Sequence, residues 1–97
     1  MPAGFVIAEI EIINGQLYED YATVAVTSVA KYGGEFLVRR GQYQSLEGDA
    51  PLPIIFVVKF PSYQQALAWY YSQEYTQIKE LRHNAARSNI VVVEGSD

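Results

Sequence analysis

The chain has 97 residues, of which 49% are hydrophobic and 19% charged, a composition typical of one folded domain over residues 1–97 and unlike that of disordered segments. Seven basic residues against eleven acidic ones give a net charge of −4, and the basic residues are scattered along the chain. Binding to nucleic acid is therefore not expected, because phosphate recognition requires a clustered basic surface.

The first two predicted elements are a strand and a helix. Residues 5–13 alternate in character, and one face of this strand carries a purely apolar set: Val6, Ala8, Ile10 and Ile12. From residue 16 to residue 29, apolar positions recur at helical spacing, and Asn14 is the predicted N-cap. The pair Gly33-Gly34 predicts the end of this helix, because glycine adopts the left-handed conformation that follows a helix.

The second predicted strand is short and irregular. Residues 35–40 alternate, so that Arg39 is expected to share a face with Glu35 and Leu37. A weaker extension is predicted over residues 43–47, with a β-bulge near Gly41. Residues 48–53 are predicted to form a loop.

The third strand, residues 54–60, is apolar on both alternating sets, so both faces of its sheet must be covered. Ser62 and Gln65 follow it with the spacing of a capping box, which predicts the start of a helix. Ser72 predicts a second N-cap that breaks and redirects this helix, and the continuation ends near residues 87–89. A last strand is predicted over residues 90–93.

The predicted order, β-α-β-β-α-β, is that of the ferredoxin-like α+β fold, in which a four-stranded antiparallel sheet carries its helices on one face. The other face would then be bare. If about five apolar side chains expose on the order of 400 to 500 Å², their burial is worth roughly 10 kcal/mol before association costs. The sequence therefore predicts a homodimer in which two sheet faces pack together about a two-fold axis.

Five spaced motifs are similar to those of a known family. They are Lys31-Tyr32-Gly33-Gly34-x-Phe36-Leu37-Val38-Arg39, Leu46-Glu47-Gly48, Phe60-Pro61-Ser62, Ala66-x-x-Trp69-Tyr70-x-Ser72-x-x-Tyr75 and Val93-Glu94-Gly95. Their succession resembles the domain of unknown function 1330 family, within the dimeric α+β barrel superfamily. Arg40 departs from the pattern, because this family often has a small residue at that position.

This resemblance implies a homodimer whose two sheets form a barrel, but it implies no particular activity. The superfamily includes cofactor-independent monooxygenases, haem-degrading enzymes and lactone isomerases, and a shared fold does not transfer chemistry. No catalytic residue is carried over to this chain.

Four residues are predicted to contact a ligand. Arg39 is the first, since its guanidinium could clamp a carboxylate or phosphate; in the competing structural interpretation it pairs with Glu9, Glu47 or a carboxylate of a second subunit. Tyr32, Trp69 and Tyr70 are the others, and they could line a pocket for a planar molecule. The competing interpretation places these aromatic side chains in the core or at a dimer interface.

Two residues are weak candidates for proton transfer. Glu9 would need burial inside the barrel to raise its pKa, and His83 is the only histidine. A solvated surface role is the competing interpretation for His83. Glu9 and Glu11 could share a hard cation, but no histidine or aspartate cluster accompanies them, so a metal site is not expected.

The absence of cysteine excludes disulfides, thiolate nucleophiles, iron–sulfur clusters and cysteine-based zinc sites. No cofactor motif is found either. The longest charge-free apolar stretch, residues 50–58, contains two prolines and is far shorter than the roughly 20 residues that span a bilayer. The N-terminal residues lack the regions of a signal peptide, so a cytoplasmic protein without membrane contact is expected.

Three functions remain open from the sequence. The first is a small homodimer that binds a small organic molecule, anionic or aromatic, in the cleft between sheet and helices through Arg39, Tyr32, Tyr70 and Trp69. The second is a cofactor-independent enzyme on the same scaffold, of the isomerase or monooxygenase type, with Glu9 or His83 transferring a proton. The third is a purely structural or regulatory dimer whose cleft is filled by its own aromatic side chains.

Overall fold

A computed structural model describes residues 2–96, which form one four-stranded antiparallel sheet and three helices. The elements are β1 Gly4–Ile12, α1 Gly15–Lys31, β2 Glu35–Arg39, β3 Ile54–Phe60, α2 Tyr63–Tyr70, α3 Gln73–Ala85 and β4 Ala86–Glu94. The strands lie in the order β2-β3-β1-β4, which places the first and third strands at the centre. The predicted ferredoxin-like α+β fold is confirmed.

The core lies between the helices and one face of the sheet. Val6 and Ile10 of β1 and Val58 and Phe60 of β3 are at most 5% exposed beneath the helices. The stripe predicted for the first strand is therefore the buried one. Trp69 stacks on the Phe60 ring with 5.5 Å between ring centres, which fixes α2 against β3.

All three predicted N-caps are present. The side chains of Asn14, Ser62 and Ser72 accept hydrogen bonds from the backbone N–H groups of Leu17, Gln65 and Tyr75 at 3.1, 3.0 and 3.1 Å. The second hydrogen bond of a capping box would run from the backbone N–H of Ser62 to the Gln65 side chain, and here the Gln65 side chain has a different partner. The Gln65 side chain donates to the carbonyl oxygen of Tyr32 at 3.1 Å and so joins the end of α1 to the start of α2.

Strand β2 differs from its prediction in two ways. Residues 41–53 form no strand, so the predicted extension over residues 43–47 is wrong. The register shift lies between Phe36 and Val38, well before Gly41, and it pairs Arg39 with Phe56. Because the extra residue reverses the alternation, Arg39 lies on the helix side of the sheet and not on the side of Glu35, as the sequence had predicted.

The two ends of the last crossover also differ from the prediction. Helix α3 ends at Ala85, and β4 begins at Ala86 with no intervening loop, so the strand is longer than the predicted residues 90–93. The backbone N–H groups of Ile13 and Asn14 both donate to the carbonyl oxygen of Ala85, at 2.7 and 2.9 Å. These two bonds fix the end of β1 to the junction between α3 and β4.

The face of the sheet that carries no helix is largely apolar, and we call it the open face. Its apolar residues are Phe5, Ile7, Ile55, Val57, Val91 and Val93, and the same alternate positions of β1, β3 and β4 include the charged residues Glu9, Glu11, Lys59 and Arg87. Val91 and Val93 are 55% and 45% exposed. Alternation alone could not decide which apolar set of β3 faces the helices; the structure buries Val58 and leaves Val57 on the open face. None of the helices within residues 2–96 is both long and apolar enough to cross a membrane.

Substitution of Gly34 by alanine is expected to destabilise the protein. An added Cβ would lie 2.5 Å from the Val29 side chain and 2.9 Å from the Phe60 ring, both of which are buried. Overpacking of this kind costs about 1–3 kcal/mol of unfolding free energy, which urea unfolding would measure. Gly15→Ala is the matched control, because nothing lies within 4 Å of its added Cβ. Equal stability of the two variants would contradict this packing.

Candidate functional site

A cavity of about 90 Å³ lies between α1 and the sheet. A buried water needs only about 10–15 Å³ of such volume, so the space is large enough for several waters or for part of a small organic molecule. The walls are mostly apolar and come from α1, from all four strands and from one residue each of α2 and α3; they include Val6, Ala8, Phe36, Phe56, Val58 and Ile90. Few polar groups interrupt these walls, as is usual for small-molecule sites.

Two neighbouring arginines stand at the edge of the cavity. The β-bulge turns Arg39 toward it, and the Arg39 guanidinium carbon lies 4.7 Å from the centre of the Phe36 ring. The guanidinium carbon of Arg40 lies 5.8 Å from the centre of the Tyr18 ring. Neither arginine forms an ion pair within residues 2–96. The edge of the cavity therefore carries two positive charges that no carboxylate of the described chain neutralises.

The backbone of Arg40 adopts a left-handed conformation, with φ of 59°. Its N–H nevertheless donates to the carbonyl oxygen of Ile55 at 3.2 Å, which continues the pairing of β2 with β3. An L residue with a long side chain is disfavoured in this conformation by roughly 1–2 kcal/mol. A small residue, and above all glycine, would suit this backbone better. The strain therefore coincides with the position at which the sequence departs from the family pattern.

Three polar side chains form a buried chain of hydrogen bonds beside the cavity. The hydroxyl oxygens of Tyr21 and Tyr75 lie 2.7 Å apart, and both residues line the cavity. Nη1 of Arg82 donates to the Tyr75 hydroxyl at 2.9 Å. Arg82 is only 3% exposed, and it forms no ion pair with any carboxylate in residues 2–96. We call these three residues the Tyr–Tyr–Arg chain.

The hydroxyls of this chain are held in the protonated state. Burial raises the pKa of Tyr21 far above the ordinary value for tyrosine, and the adjoining Tyr75 raises it further. Burial also raises the pKa of Tyr75, although the Arg82 guanidinium opposes the rise. At neutral pH both side chains are therefore hydrogen-bond donors and not bases.

Trp69, a predicted ligand contact, lines the cavity and is itself fixed in place. Its indole Nε1 donates to the Ser28 hydroxyl at 3.0 Å, and that hydroxyl donates to the carbonyl oxygen of Ala25 at 2.8 Å. Its ring centre lies 4.3 Å from that of Tyr75. Trp69 is therefore a rigid wall of the cavity whose only N–H group is already bonded.

Tyr32 and Tyr70, the other two predicted aromatic contacts, are not part of the cavity lining. Tyr32 is half-buried at the end of α1 and donates to the Glu74 carboxylate at 3.1 Å, close to the ion pair of Glu74 with Lys31. Tyr70 packs against the Trp69 and Tyr75 rings from the far side, with the Lys79 ammonium 3.9 Å from its ring centre. Both residues stabilise the packing of the helices around the cavity.

The two proton-transfer candidates also lie elsewhere. Glu9 is on the open face, and its carboxylate accepts a hydrogen bond from the Leu52 backbone at 3.2 Å. His83 is exposed, and its Nε2 lies 3.0 Å from Nη2 of Arg82. Because a guanidinium can only donate, Nε2 must be the acceptor, so His83 supports Arg82 from the surface.

No cluster of three or more metal-ligating side chains occurs among residues 2–96. Glu11 pairs with Arg87 at 2.9 Å on the open face. These positions give the two glutamates structural partners of their own.

Sequence reasoning missed the polar residues that matter most to the cavity: Tyr18, Tyr21, Tyr75, Arg40 and Arg82. One signal for the arginine was available. Arg82 falls on the same face of the last helix as Tyr75 and Ala85, and a charged residue on an apolar stripe is unusual unless it has a buried partner. The 54-residue separation of Tyr21 from Tyr75 could not have been bridged without the fold.

The raised pKa of Tyr21 predicts a specific loss of stability in alkali. In the unfolded chain tyrosine ionises near pH 10, whereas the folded protein keeps Tyr21 protonated above that pH. The stabilisation is fully present below about pH 10 and is lost as the pH rises further, because the unfolded state then binds fewer protons. Urea unfolding between pH 8 and pH 11 is expected to show a smaller loss for Tyr21→Phe than for the wild type. The exposed Tyr71 supplies the control: Tyr71→Phe should follow the wild type, and the same slope in all three proteins would contradict the burial of Tyr21.

Replacement of Arg40 by glycine is expected to raise the unfolding free energy by about 0.5–1 kcal/mol, because relief of the left-handed strain exceeds the added entropy of the unfolded chain. Arg39→Gly removes the same side chain from extended backbone and should lower stability by about the same amount. Thermal and urea unfolding of both variants would measure the difference. A loss of stability in Arg40→Gly would contradict the strain.

Comparison with known proteins extends this description. No curated protein matches the sequence. A protein of unknown function from Rhodopseudomonas palustris has a similar structure, with a TM-score of 0.76 at 14% identity, over 99% of this chain and 84% of that one. SnoaB, a cofactor-independent oxygenase from Streptomyces nogalater, is similar with a TM-score of 0.69 at 6% identity, over 100% of this chain and 96% of its own. A conserved protein from Methanosarcina mazei has a TM-score of 0.58 at 15% identity, over 99% and 95% of the two chains.

At these identities the likeness establishes the fold alone. The family is established independently, because the model of the family described as Domain of unknown function (DUF1330) matches residues 3–96. The match spans the two arginines, the cavity and the Tyr–Tyr–Arg chain. The chain therefore belongs to the domain of unknown function 1330 family, as its five motifs had indicated.

Proposed function

We propose that the protein is a homodimer, joined through its open face, that binds a small organic anion with an aromatic or planar apolar body in the cavity of each protomer. The observation that carries the proposal is the pairing of an apolar cavity with two arginines at its edge that have no carboxylate partner within residues 2–96. An apolar body would be buried against the walls, and its anionic group would meet Arg39 and Arg40.

Charge and shape both support an anion. The protein carries a net charge of −4, so two neighbouring unpaired cations are a local exception to its overall charge. Arg39 has a guanidinium that can donate two parallel hydrogen bonds to a carboxylate or phosphate. The rings of Phe36 and Tyr18 beneath the two guanidinium groups hold them by cation–π contacts and leave their N–H groups available.

Dimerisation is supported by the open face. Phe5, Ile7, Ile55 and Val57 lie side by side on the central strands, with Val91 on the edge strand next to them. Apolar residues grouped on one face of a sheet favour contact with a partner, and a second copy offers the same surface about a two-fold axis. A cytoplasmic location remains a prediction from the sequence.

A cofactor-independent enzyme on the same scaffold is the second candidate. The observation that favours it is the pair of protonated hydroxyls of Tyr21 and Tyr75, two residues that line the apolar cavity, because a donor at such a site can stabilise developing negative charge. Proton transfer by Glu9 or His83 has no support from the cavity, since neither side chain lines it. The fold shared with SnoaB is compatible with this candidate but does not argue for it by itself.

Binding of phenylacetate, with phenylacetamide as the uncharged analogue of the same shape, tests the ligand proposal. Phenylacetate is expected to bind more tightly than phenylacetamide in isothermal titration, and Arg39→Gln is expected to weaken phenylacetate binding about tenfold, the loss of one charge-assisted hydrogen bond. The control is Arg87→Gln, which removes an arginine already paired with Glu11 on the opposite face. Failure of both probes to bind, or equal loss in the two variants, would overturn the proposal.

Val91→Asp tests the dimer. Val91 is 55% exposed within one protomer, so an aspartate there should leave the protomer folded while placing a charge inside the proposed interface. Sedimentation equilibrium is expected to show a dimer for the wild type and a folded monomer for Val91→Asp. Val24→Asp is the matched control, because Val24 is 44% exposed on α1, away from the open face. A Val91→Asp protein that stays dimeric would exclude the open face as the interface.

A further inference from the structure

The Tyr–Tyr–Arg chain has more hydrogen-bond donors than it has acceptors within reach. Arg82 only donates, and its Nη1 occupies one acceptor site on the Tyr75 hydroxyl. The two hydroxyls then share a single hydrogen bond, which uses one of their two protons whichever of them is the donor. Among residues 2–96, no second acceptor lies within hydrogen-bond distance of either hydroxyl. One hydroxyl proton of the pair therefore has no acceptor in the chain.

A molecule in the cavity could supply an acceptor for this proton. Tyr21 and Tyr75 both line it, and the other side chains around the pair are mainly apolar. Trp69 cannot accept the proton, because the indole N–H group is only a donor and is already bonded to Ser28. The acceptor must then come from whatever occupies the cavity.

Arg82 makes this proton a stronger donor. The guanidinium is buried, has no carboxylate partner within residues 2–96, and leaves its Nε without a hydrogen bond. Its positive charge is therefore poorly neutralised and acts on the Tyr75 oxygen at 2.9 Å. A hydroxyl that accepts a charge-assisted hydrogen bond is polarised and donates more strongly in turn.

The geometry points to a specificity element: Tyr21 and Tyr75, positioned by Arg82, donate one hydrogen bond into the cavity and so select ligands that place a carbonyl, carboxylate or enolate oxygen against this pair. The inference rests on the proposed function, because it requires that the cavity takes up a ligand. The inference adds a second group of the ligand that the protein would recognise, an acceptor oxygen at the inner side of the cavity. This oxygen is separate from the anionic group that the two arginines would hold at the edge. The ligand class becomes an oxo acid or a related molecule with two separate oxygen functions.

A matched pair of neutral probes isolates this contact from the arginines. Acetophenone and α-methylstyrene have nearly the same shape, because a C=CH2 group replaces the carbonyl group, but only acetophenone carries an acceptor oxygen. Acetophenone is expected to bind about tenfold more tightly, which corresponds to about 1.4 kcal/mol and to one satisfied hydrogen bond. The infrared carbonyl band of bound acetophenone is expected at lower frequency than in an apolar solvent.

The double variant Tyr21→Phe/Tyr75→Phe removes both hydroxyls and keeps the ring walls. It is expected to bind the two probes equally and to return the carbonyl band to its position in apolar solvent. Each single variant still has one hydroxyl and one free proton, so each should keep most of the preference for acetophenone, and the two single losses should sum to less than the loss in the double variant. This non-additive pattern distinguishes a shared surplus proton from two independent donors.

Tyr71 supplies the control, because it is exposed and does not line the cavity. Tyr71→Phe should leave the preference and the carbonyl band unchanged, and loss of both in that variant would overturn the assignment. Arg82→Gln keeps a side-chain donor but removes the charge, so the band displacement is expected to shrink. An unchanged band would overturn the role of Arg82 as a positioning residue.

The remaining outcomes separate the two levels of the proposal. Equal binding of both probes to the wild type, with an undisplaced carbonyl band, would overturn this inference and leave the cavity as a binding site. Binding of neither probe, together with failure of phenylacetate to bind, would overturn the proposed function and the inference with it.

Discussion

The sheet has apolar residues on both faces, and the helices within residues 2–96 cover only one of them. Strands β1 and β3 are central, and both of their alternating sets contain large apolar side chains. All three helices pack on the same side, where they bury Val6, Val58 and Phe60. This one-sided covering leaves room for a cavity beneath the helices and an exposed face on the other side, which supports the proposed dimer.

On the covered side, the packing leaves the candidate cavity where α1 crosses the sheet. Large aromatic side chains fill the space beneath α2 and α3, where Trp69, Phe60 and Tyr75 are in contact. Beneath α1 the small side chains of Ala8, Ala22 and Ala25 leave room between helix and strands. The polar groups of the cavity are then supplied from its two ends: arginines from the irregular end of β2, and the tyrosine pair from the meeting of α1 with α3. The chemistry of the proposed ligand follows from these two ends and not from the apolar walls.

The sequence was sufficient for the elements whose signals are local. Asn14, Ser62 and Ser72 were predicted as N-caps from spacing alone, and each accepts the expected backbone hydrogen bond. Alternation in β1 identified its buried stripe. The alternation pattern gave the wrong face for Arg39 in β2. A β-bulge reverses the alternation, and in so short a strand the sequence carries no signal for it, so Arg39 lies on the face opposite to the predicted one.

The candidate site was harder to predict because its parts are distant in sequence. Tyr21 and Tyr75 meet only after both crossovers have formed, and an unpaired buried arginine is contrary to the usual rule for charged residues. Arg39 and Trp69 were predicted as ligand contacts and do line the cavity, whereas Tyr32 and Tyr70 lie behind its walls. From the sequence, all the tyrosines were equally plausible as ligand contacts. Only the packing of the helices distinguishes those that line the cavity from those that lie behind its walls.

Native mass spectrometry of the purified protein tests the central claim most directly, because one spectrum reports the number of subunits and any small molecule that stays bound. A one-sided sheet with a ligand cavity predicts a dimer, with added mass of an organic acid on each protomer when the protein is purified with its ligand. A monomer at micromolar concentration would contradict the account, since the open face would then be stable in water without a partner.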